Sequence, residues 1–456
     1  MSAAPSSELL ARLFGSAEMT ELFGDRARLQ GMLEFEAALA RAEARVGVIP
    51  NQAAAPIGNR CRAELFDVES LAEATARAGN PAIPVVKALI GLVAADDSKA
   101  ARYVHFGATS QDAMDTGLVL QLRRFCSLLE ADLDRLSAAL ARVAEAHKTT
   151  PLVGRTLLQH ASPVTLGLKA AGWLDAVERH RTRLAEVRTR ALVLQLGGAA
   201  GTLAALGHRG LEVARALSDE LNLALPLVPW HAHRDRFAEL ATFLGLLIGT
   251  LGKISRDLSL LMQTEVAEAF EPEGQGRGGS STMPHKRNPV TAAVALAAAA
   301  RAPGLVATML SSMVQEHERG LGGWHAEWQT LPELCALAAG ALRQTADAIE
   351  GLQLDPARMR ANVDATRGQI MAEAVLIALA PRIGRLEAYD ILERASRRAS
   401  ETGRHLKAVL AEEPAVTQHL SAADLEALFD PLNYLGEATA FVDRVLVAHK
   451  RKQEDL

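Results

Sequence analysis

The sequence predicts an all-α chain organised around a central bundle of unusually long helices, and three observations carry that prediction. Hydrophobic residues make up 49% of the 456 residues while aromatics make up 4%, with Ala and Leu dominant. That composition favours helices packed closely on one another over a β-rich fold. Leu118, Leu122, Phe125, Leu129, Leu133, Leu136, Leu140 and Val143 recur in steps of three and four. So do Phe237, Leu240, Leu244, Leu247, Leu251, Ile254, Leu258 and Leu261. Such stripes belong to helices packed nearly parallel, at about 20°. At ~1.5 Å per residue each helix is roughly 40 Å long or more. That exceeds what one globular domain needs, so such stripes are expected to be covered by other subunits.

The chain is too long for one core, so two or three domains are expected. Residues 1–108 read as a small helical domain, with helices broken at Gly47 to Pro50 and at the Gly79-Asn80-Pro81 turn. Residues 109–350 read as the long-helix bundle. Ser110 or Asp112 could cap its first helix. Ser162-Pro163 read as N-cap and N1 of a helix reaching Leu194. Pro289 suits the first turn of a further helix running toward Arg319, which Pro303-Gly304 should kink or interrupt. Residues 351–456 read as a second small helical domain, with turns near Gly403, Pro414 and Asp430-Pro431.

Several function classes are excluded by the same reading. The net charge is −5, and Lys and Arg are scattered, which argues against nucleic acid as a partner. Cys61, Cys126 and Cys335 lie far apart without CxxC spacing and read as the reduced thiols of a cytoplasmic protein. The N-terminus has no basic segment followed by an apolar core, so no secretory signal is expected. The run Ala292 to Ala300 is short of the ~20 apolar residues of a membrane span. His231-Ala232-His233 could be a metal pair, but no third ligand is spaced to match, so no metal is expected.

Chemistry concentrates in three polar islands. The first, GGSSTMPHKRNP at 278–289, has neither GxxxxGK[ST] nor GxGxxG spacing, so it is no phosphate loop. It could be a plain surface connection. Equally, its glycines would let backbone amides and a hydroxyl approach an anion, with Lys286 and Asn288 gripping a carboxylate. The second, HFGATSQD at 105–112, and the third, GRTLLQHASP at 154–163, each precede a long helix. Aligned helices would bring three such islands together, as in active sites built on bundles.

The first island closely resembles the signature loop of the fumarase/aspartase superfamily, which includes argininosuccinate and adenylosuccinate lyases. The other two islands fall where that superfamily has its remaining conserved regions. The resemblance runs from FEAALARAEARVGVIP (35–50) to DPLNYLGEATAFVDRVL (430–446). It implies a three-domain all-helical subunit and a homotetramer with a twenty-helix core. Each active site would be shared by three subunits, and no cofactor would be used. The shared step moves a proton on the carbon next to a carboxylate. Ser280 matches the proton-transfer serine. Lys286, Asn288, Thr109 and Ser110 match residues that hold the substrate carboxylate. Thr156, Gln159, His160, Ser281 and Met283 are the further expected substrate contacts, with His105 and Arg319 for the remaining carboxylates.

Departures from the adenylosuccinate type narrow the reading. Those lyases carry a histidine where this chain has Leu157, and a glutamate where it has Ala293. That pair protonates amine or hydroxide leaving groups. A carboxylate, with pKa near ~4, leaves or attacks as the anion and needs no such acid. Trp324 and Trp328 replace the phosphate-binding Ser and Arg, and Asn80 stands for a histidine. The stretches RARLQGMLEFEAALARAEARVGVIP and LLQHASPVTLGLKAAGW resemble the superfamily's cycloisomerase branch. That likeness implies intramolecular addition of a carboxylate to a double bond in a small tricarboxylate. Two rivals are an adenylosuccinate-type lyase releasing fumarate and a non-catalytic, crystallin-like structural protein.

Overall fold

The computed structural model describes Leu10 and residues 13–274, 278–279 and 282–454. Helices account for 71% of the structure, so the chain is all-α, as its composition requires. The helices in order are α1 (Ala17–Leu22), α2 (Asp25–Val46), α3 (Asn51–Arg60), α4 (Val68–Ala78), α5 (Ala82–Asp96) and α6 (Ser110–Ala146). They continue as α7 (Leu166–Ala191), α8 (Gly210–Leu221), α9 (Asp235–Leu261), α10 (Val290–Ser311), α11 (Gly323–Glu350) and α12 (Pro356–Asp364). The last are α13 (Ala372–Ile383), α14 (Arg385–Thr402), α15 (Leu406–Leu410), α16 (Pro414–Thr417), α17 (Ala422–Leu428) and α18 (Ala438–Glu454).

The contacts divide the chain into two compact units. The first comprises Met1–Leu133, His180–Gly252 and Val294–Gln344. Here the expected stripes face inward: Leu122, Phe125 and Leu129 of α6 and Phe237, Leu240, Leu244 and Leu247 of α9 are all buried. Helix α2 ends at Gly47, whose φ of 82° lets its N–H reach the carbonyls of Glu43 and Ala44. Gly31 of α2 lies against Gly117 of α6, and a Cβ on Gly31 would stand 2.7 Å from the Gly117 carbonyl oxygen. That close approach sets the segment carrying 105–112 beside α2.

The second unit comprises Asp134–Arg179, Lys253–Ala293 and Thr345–Leu456. Its C-terminal part packs Val375 and Leu379 of α13 on Ile391 and Leu392 of α14, with Leu406 and Val409 closing the cluster. The segment 151–165 departs from expectation. It forms a hairpin of β1 (Pro151–Thr156) and β2 (Gln159–Thr165), and α7 starts only at Leu166. Ser162 and Pro163 are therefore strand residues. The helix is capped by Thr165, whose hydroxyl accepts from the Leu168 N–H at 3.0 Å. The register shifts between Val153 and Gly154, a bulge that accommodates the proline without an N–H to pair.

Two other expectations about helices change. Helix α10 runs through Pro303 and stops at Ser311, short of Gln315 to Arg319. Helices α9 and α10 are also long and apolar enough to cross a membrane by length and composition. The most apolar stretch of α9 is mostly buried inside the protein, as a core helix is, whereas that of α10 is only one-third buried.

Candidate active site

In the first unit the 105–112 segment is held by one buried carboxylate. Asp112 accepts the backbone N–H of Thr109 at 2.9 Å, which closes the first turn of α6. It also accepts the N–H groups of Gly197 and Gly198, each at 2.9 Å, and faces His231 Nε2 at 2.7 Å. Asp112 thus closes the helix start from its third position, with Thr109 as the N-cap, and His231 is committed to that carboxylate. Ser110 has another task, since its hydroxyl accepts from Asn80 Nδ2 at 3.3 Å. Upstream, the chain turns through His105 at φ 58° and Gly107 at φ 70°. His105 Nδ1 lies 2.6 Å from Glu36 Oε1 of α2.

Arg319 is brought to this segment by Gln111. Its Nε donates to Gln111 Oε1 at 3.0 Å, and its Nη2 to the Ala199 carbonyl at 3.1 Å. The Gln111 amide is itself fixed, donating to Asp115 at 3.1 Å and to the His231 carbonyl at 2.9 Å. Behind it lies a fully buried ion cluster. Arg234 donates to Asp115 at 2.7 Å and to Glu327 at 2.6 Å, with its guanidinium packed over both the Trp230 and Phe237 rings. Burial opposes the Arg234 charge, but the two carboxylates outweigh it and raise its pKa. Trp324 donates its indole N–H to Asp115 at 3.2 Å and is buried. Its side chain is part of this framework.

In the second unit the 278–289 loop is pinned at both ends. The Asn288 N–H donates to the Gly278 carbonyl at 2.9 Å, and its side-chain amide to that of Gly279 at 3.4 Å. Gly278 has φ 66°, and a Cβ there would stand 2.8 Å from the Asn288 carbonyl oxygen. Glu271 caps α10 by accepting from Thr291 and Ala292. Arg287 donates to the Glu271 carbonyl and pairs with Glu273. The result is a cleft of about 670 Å³ lined by Glu271, Glu273, His285, Lys286, Arg287 and Asn288. Met283 and Lys286 are exposed. Ser280 and Ser281, the expected proton donor and its neighbour, lie outside the described residues.

The hairpin tip carries Thr156, Leu157, Leu158, Gln159 and His160, all exposed. Leu157 and Leu158 turn with φ of 49° and 63°, the two-residue turn that suits a tight hairpin. Arg155 anchors the tip through a bidentate pair with buried Glu268, at 2.8 Å on both arms. Burial, and then nearby Arg155, hold His160 below its ordinary pKa, so near neutral pH it is an uncharged ring.

The structure therefore gathers Ser110, Asn80 and Arg319 around one segment of the first unit, with Thr109 closing its helix and His105 turned onto Glu36. It gathers Lys286 and Asn288 on one cleft of the second. Thr156, Gln159 and His160 stand on the hairpin tip and do not line that cleft. Sequence reasoning missed the supporting residues: Glu36, Gln111, Asp115, Arg234, Glu268, Glu271 and Glu327. A charged residue on an otherwise apolar helix face was the available signal for Glu36 and Asp115.

A family model described as lyase matches residues 15–304, and one described as adenylosuccinate lyase C-terminus matches residues 368–445. The first spans well over half of the chain, and the protein belongs to this lyase family, the fumarase/aspartase superfamily of all-helical enzymes. Within it the chain is 62% identical to the 3-carboxy-cis,cis-muconate cycloisomerase of Pseudomonas aeruginosa, over 98% of both chains. It is 55% identical to the enzyme of the same name from Bradyrhizobium diazoefficiens, over 98% of this chain and 99% of that one. The crystal structure of the 3-carboxy-cis,cis-muconate lactonizing enzyme from Pseudomonas putida superimposes with a TM-score of 0.93 at 56% identity, covering 98% of this chain and 99% of that one. The resemblance carried by the three islands is borne out.

Proposed function

We propose that the protein is a cycloisomerase that converts 3-carboxy-cis,cis-muconate to 4-carboxymuconolactone, the lactonisation step of protocatechuate breakdown in the β-ketoadipate pathway. One substrate carboxylate forms a C–O bond to the conjugated double bond. The displaced electron pair collects on the carbon beside another carboxylate, giving an aci-carboxylate. Lys286 and Asn288 stabilise that charge, with the Thr109 and Ser110 hydroxyls on the carboxylate. Ser280 then delivers a proton to the carbon. An alkyl hydroxyl is a weak acid, so the loop amides and Lys286 must favour its anion. Arg319 and His105 hold the remaining carboxylates. Thr156, Gln159, His160, Ser281 and Met283 complete the contacts.

The single observation that carries this reading is the pinned Lys286–Asn288 loop in a chain with Leu157 and Ala293 at the positions of the acid pair. Carboxylate chemistry needs the first and not the second. The catalytic parts stand on segments expected to meet only when three subunits assemble, so the active form is a homotetramer. Exposed Leu157 at 97%, exposed Leu246 on α9 and the open apolar face of α10 support that assembly. Within it we keep three domains, 1–108, 109–350 and 351–456, the second supplying the core. The enzyme works in the cytoplasm on a small tricarboxylate, without cofactor.

The test adds 3-carboxymuconate to the protein and follows loss of diene absorbance, with sedimentation reporting the assembly. Loss of absorbance by a tetramer, abolished in Ser280→Ala, is the expected result. Fumarate release from adenylosuccinate with no turnover of the muconate would replace this reading with the lyase one.

A further inference from the structure

Behind His105 lies a buried pair of acids that the proposed reaction does not use. Glu36 and Glu43 stand two turns apart on the inward face of α2, and each is almost wholly buried. Glu36 Oε1 lies 2.6 Å from His105 Nδ1. Among the described residues, Glu36 Oε2 and both Glu43 oxygens have no hydrogen-bond partner. Burial, with Glu36 beside it, pushes the Glu43 carboxyl up to about 9, so it is neutral at working pH. Cys61, at the end of α3, is likewise held neutral, pushed up to about 12 by burial and by Glu36. Arg41, also on α2, bears on Cys61, and the charge of Asp112 on α6 acts on His105 as well.

Of the two buried acids on α2, Glu36 is thus the one whose charge reaches the His105 ring. Burial alone would lower the imidazole pKa, but Glu36, with Asp112 adding, raises it. The histidine is held at φ 58°, in a left-handed conformation that a non-glycine residue adopts only when its surroundings impose it. Its side chain keeps 17% exposure. With Nδ1 engaged, Nε2–H is the donor left for a ligand.

We propose that Glu36 is a positioning residue for the reaction: it takes the Nδ1–H of His105, fixes the ring, and keeps it an imidazolium that receives one substrate carboxylate through Nε2. The proposal rests on the reading of the 105–112 segment as part of the substrate site. It differs from that reading in assigning the charge state of the histidine to a residue that never touches substrate. A neutral Glu43 belongs to the device, because a second anion beside Glu36 would favour protonating Glu36 itself.

The experiment measures kcat and KM against pH for the wild-type tetramer and for Glu36→Gln, Glu36→Asp and His105→Asn. In the wild type, kcat/KM falls on the alkaline side as the imidazolium loses its proton. Glu36→Gln moves that limb to lower pH by about one unit and raises KM roughly tenfold at pH 8, with kcat little changed. Glu36→Asp recovers part of both effects. His105→Asn raises KM by a similar factor and abolishes the limb. An unmoved limb in folded Glu36→Gln, alongside a raised KM in His105→Asn, overturns the role of Glu36 while the site reading stands. A kinetically silent His105→Asn overturns both. Because a buried substitution can prevent folding, imidazole nitrogen NMR of the wild-type tetramer provides an independent test. A His105 ring that titrates above a free imidazole is expected, and one that titrates at or below it overturns the proposal.

Discussion

His231 Nε2 stands 2.7 Å from Asp112 Oδ1, against a carboxylate that has no exposure to solvent. The same carboxylate accepts three backbone N–H groups, from Thr109, Gly197 and Gly198. Every donor points at Asp112, so an amide in its place must turn an N–H toward at least one of them. Asp112→Asn should therefore cost about 3 kcal/mol of stability, the range for breaking a buried charged network. Activity should fall as well, because Thr109 and Ser110 ride on this helix start. Urea unfolding gives the number, and a midpoint matching wild type would show that the carboxylate is not what holds the segment.

Glu43 makes stability depend on pH in an unusual direction. Its folded-state pKa, about 9, lies above the ordinary carboxyl value because burial, and then Glu36, disfavour the charge. Between the ordinary carboxyl pKa and about 9 the unfolded chain releases this proton and the folded chain keeps it. Its contribution is thus fully present at acid pH and declines as pH rises through that window. Glu43→Gln removes the titration and keeps the shape. The variant should be more stable than wild type at pH 8, by about 1–3 kcal/mol, with the difference shrinking toward pH 5. Parallel stability–pH curves for the two proteins would count against a neutral Glu43.

The long helices were legible because a stripe such as Leu122, Phe125 and Leu129 repeats a local period, and burial enforces it. The short helices were legible through their stops, with Gly47, Gly79 and Gly403 all in the left-handed conformation that ends a helix. The hairpin was not. Pro163 reads as a helix start from its neighbours alone, and only the pairing of β1 with β2 across a bulge reassigns it. The site divides the same way. Lys286 and Asn288 announce themselves as polar residues just before a helix start, whereas Arg319 reads as the end of the preceding helix until that helix is seen to stop at Ser311. Gln111 and Glu268 act through partners far along the chain, His231 and Arg155 respectively, and sequence separation hides such pairs. From the sequence Trp324 reads only as the replacement of a phosphate-binding Ser, and its placement on Asp115 depends on tertiary contacts alone.

The bulge that sets the hairpin tip gives a further expectation. A Cβ on Gly154 would lie 2.4 Å from the Ser162 carbonyl oxygen, a backbone atom that cannot swing aside. Gly154→Ala must shift the strands, displacing Thr156, Gln159 and His160 together. A stability loss of about 1–3 kcal/mol is expected, as for other overpacked sites. The kcat/KM for the muconate should fall by more than the stability loss explains at a temperature where the variant is fully folded. Thermal melts paired with kinetics decide this, and a variant with unchanged melting and unchanged kinetics would falsify the account of the bulge.

Lys286 and Arg287 are adjacent cations with opposite assignments. Arg287 is engaged on all sides, by Glu273, the Glu271 carbonyl, Gln353 and the Phe270 ring. Lys286 is exposed and, among the described residues, makes no ion pair. The first therefore holds the loop and the second is available to an anionic ligand. Lys286→Met should leave melting within about 1 °C of wild type, since an exposed charge adds little to stability. It should lower kcat/KM by roughly 100-fold, the loss of a charge-assisted contact in the transition state. Arg287→Met should lower the melting temperature and damage activity only through the loop. The cleanest discriminator is succinate or another dicarboxylate as a competitive ligand. Its affinity should collapse in Lys286→Met and survive within about threefold in Arg287→Met. The reverse order would assign the ligand to Arg287 and leave Lys286 a solvent-facing charge.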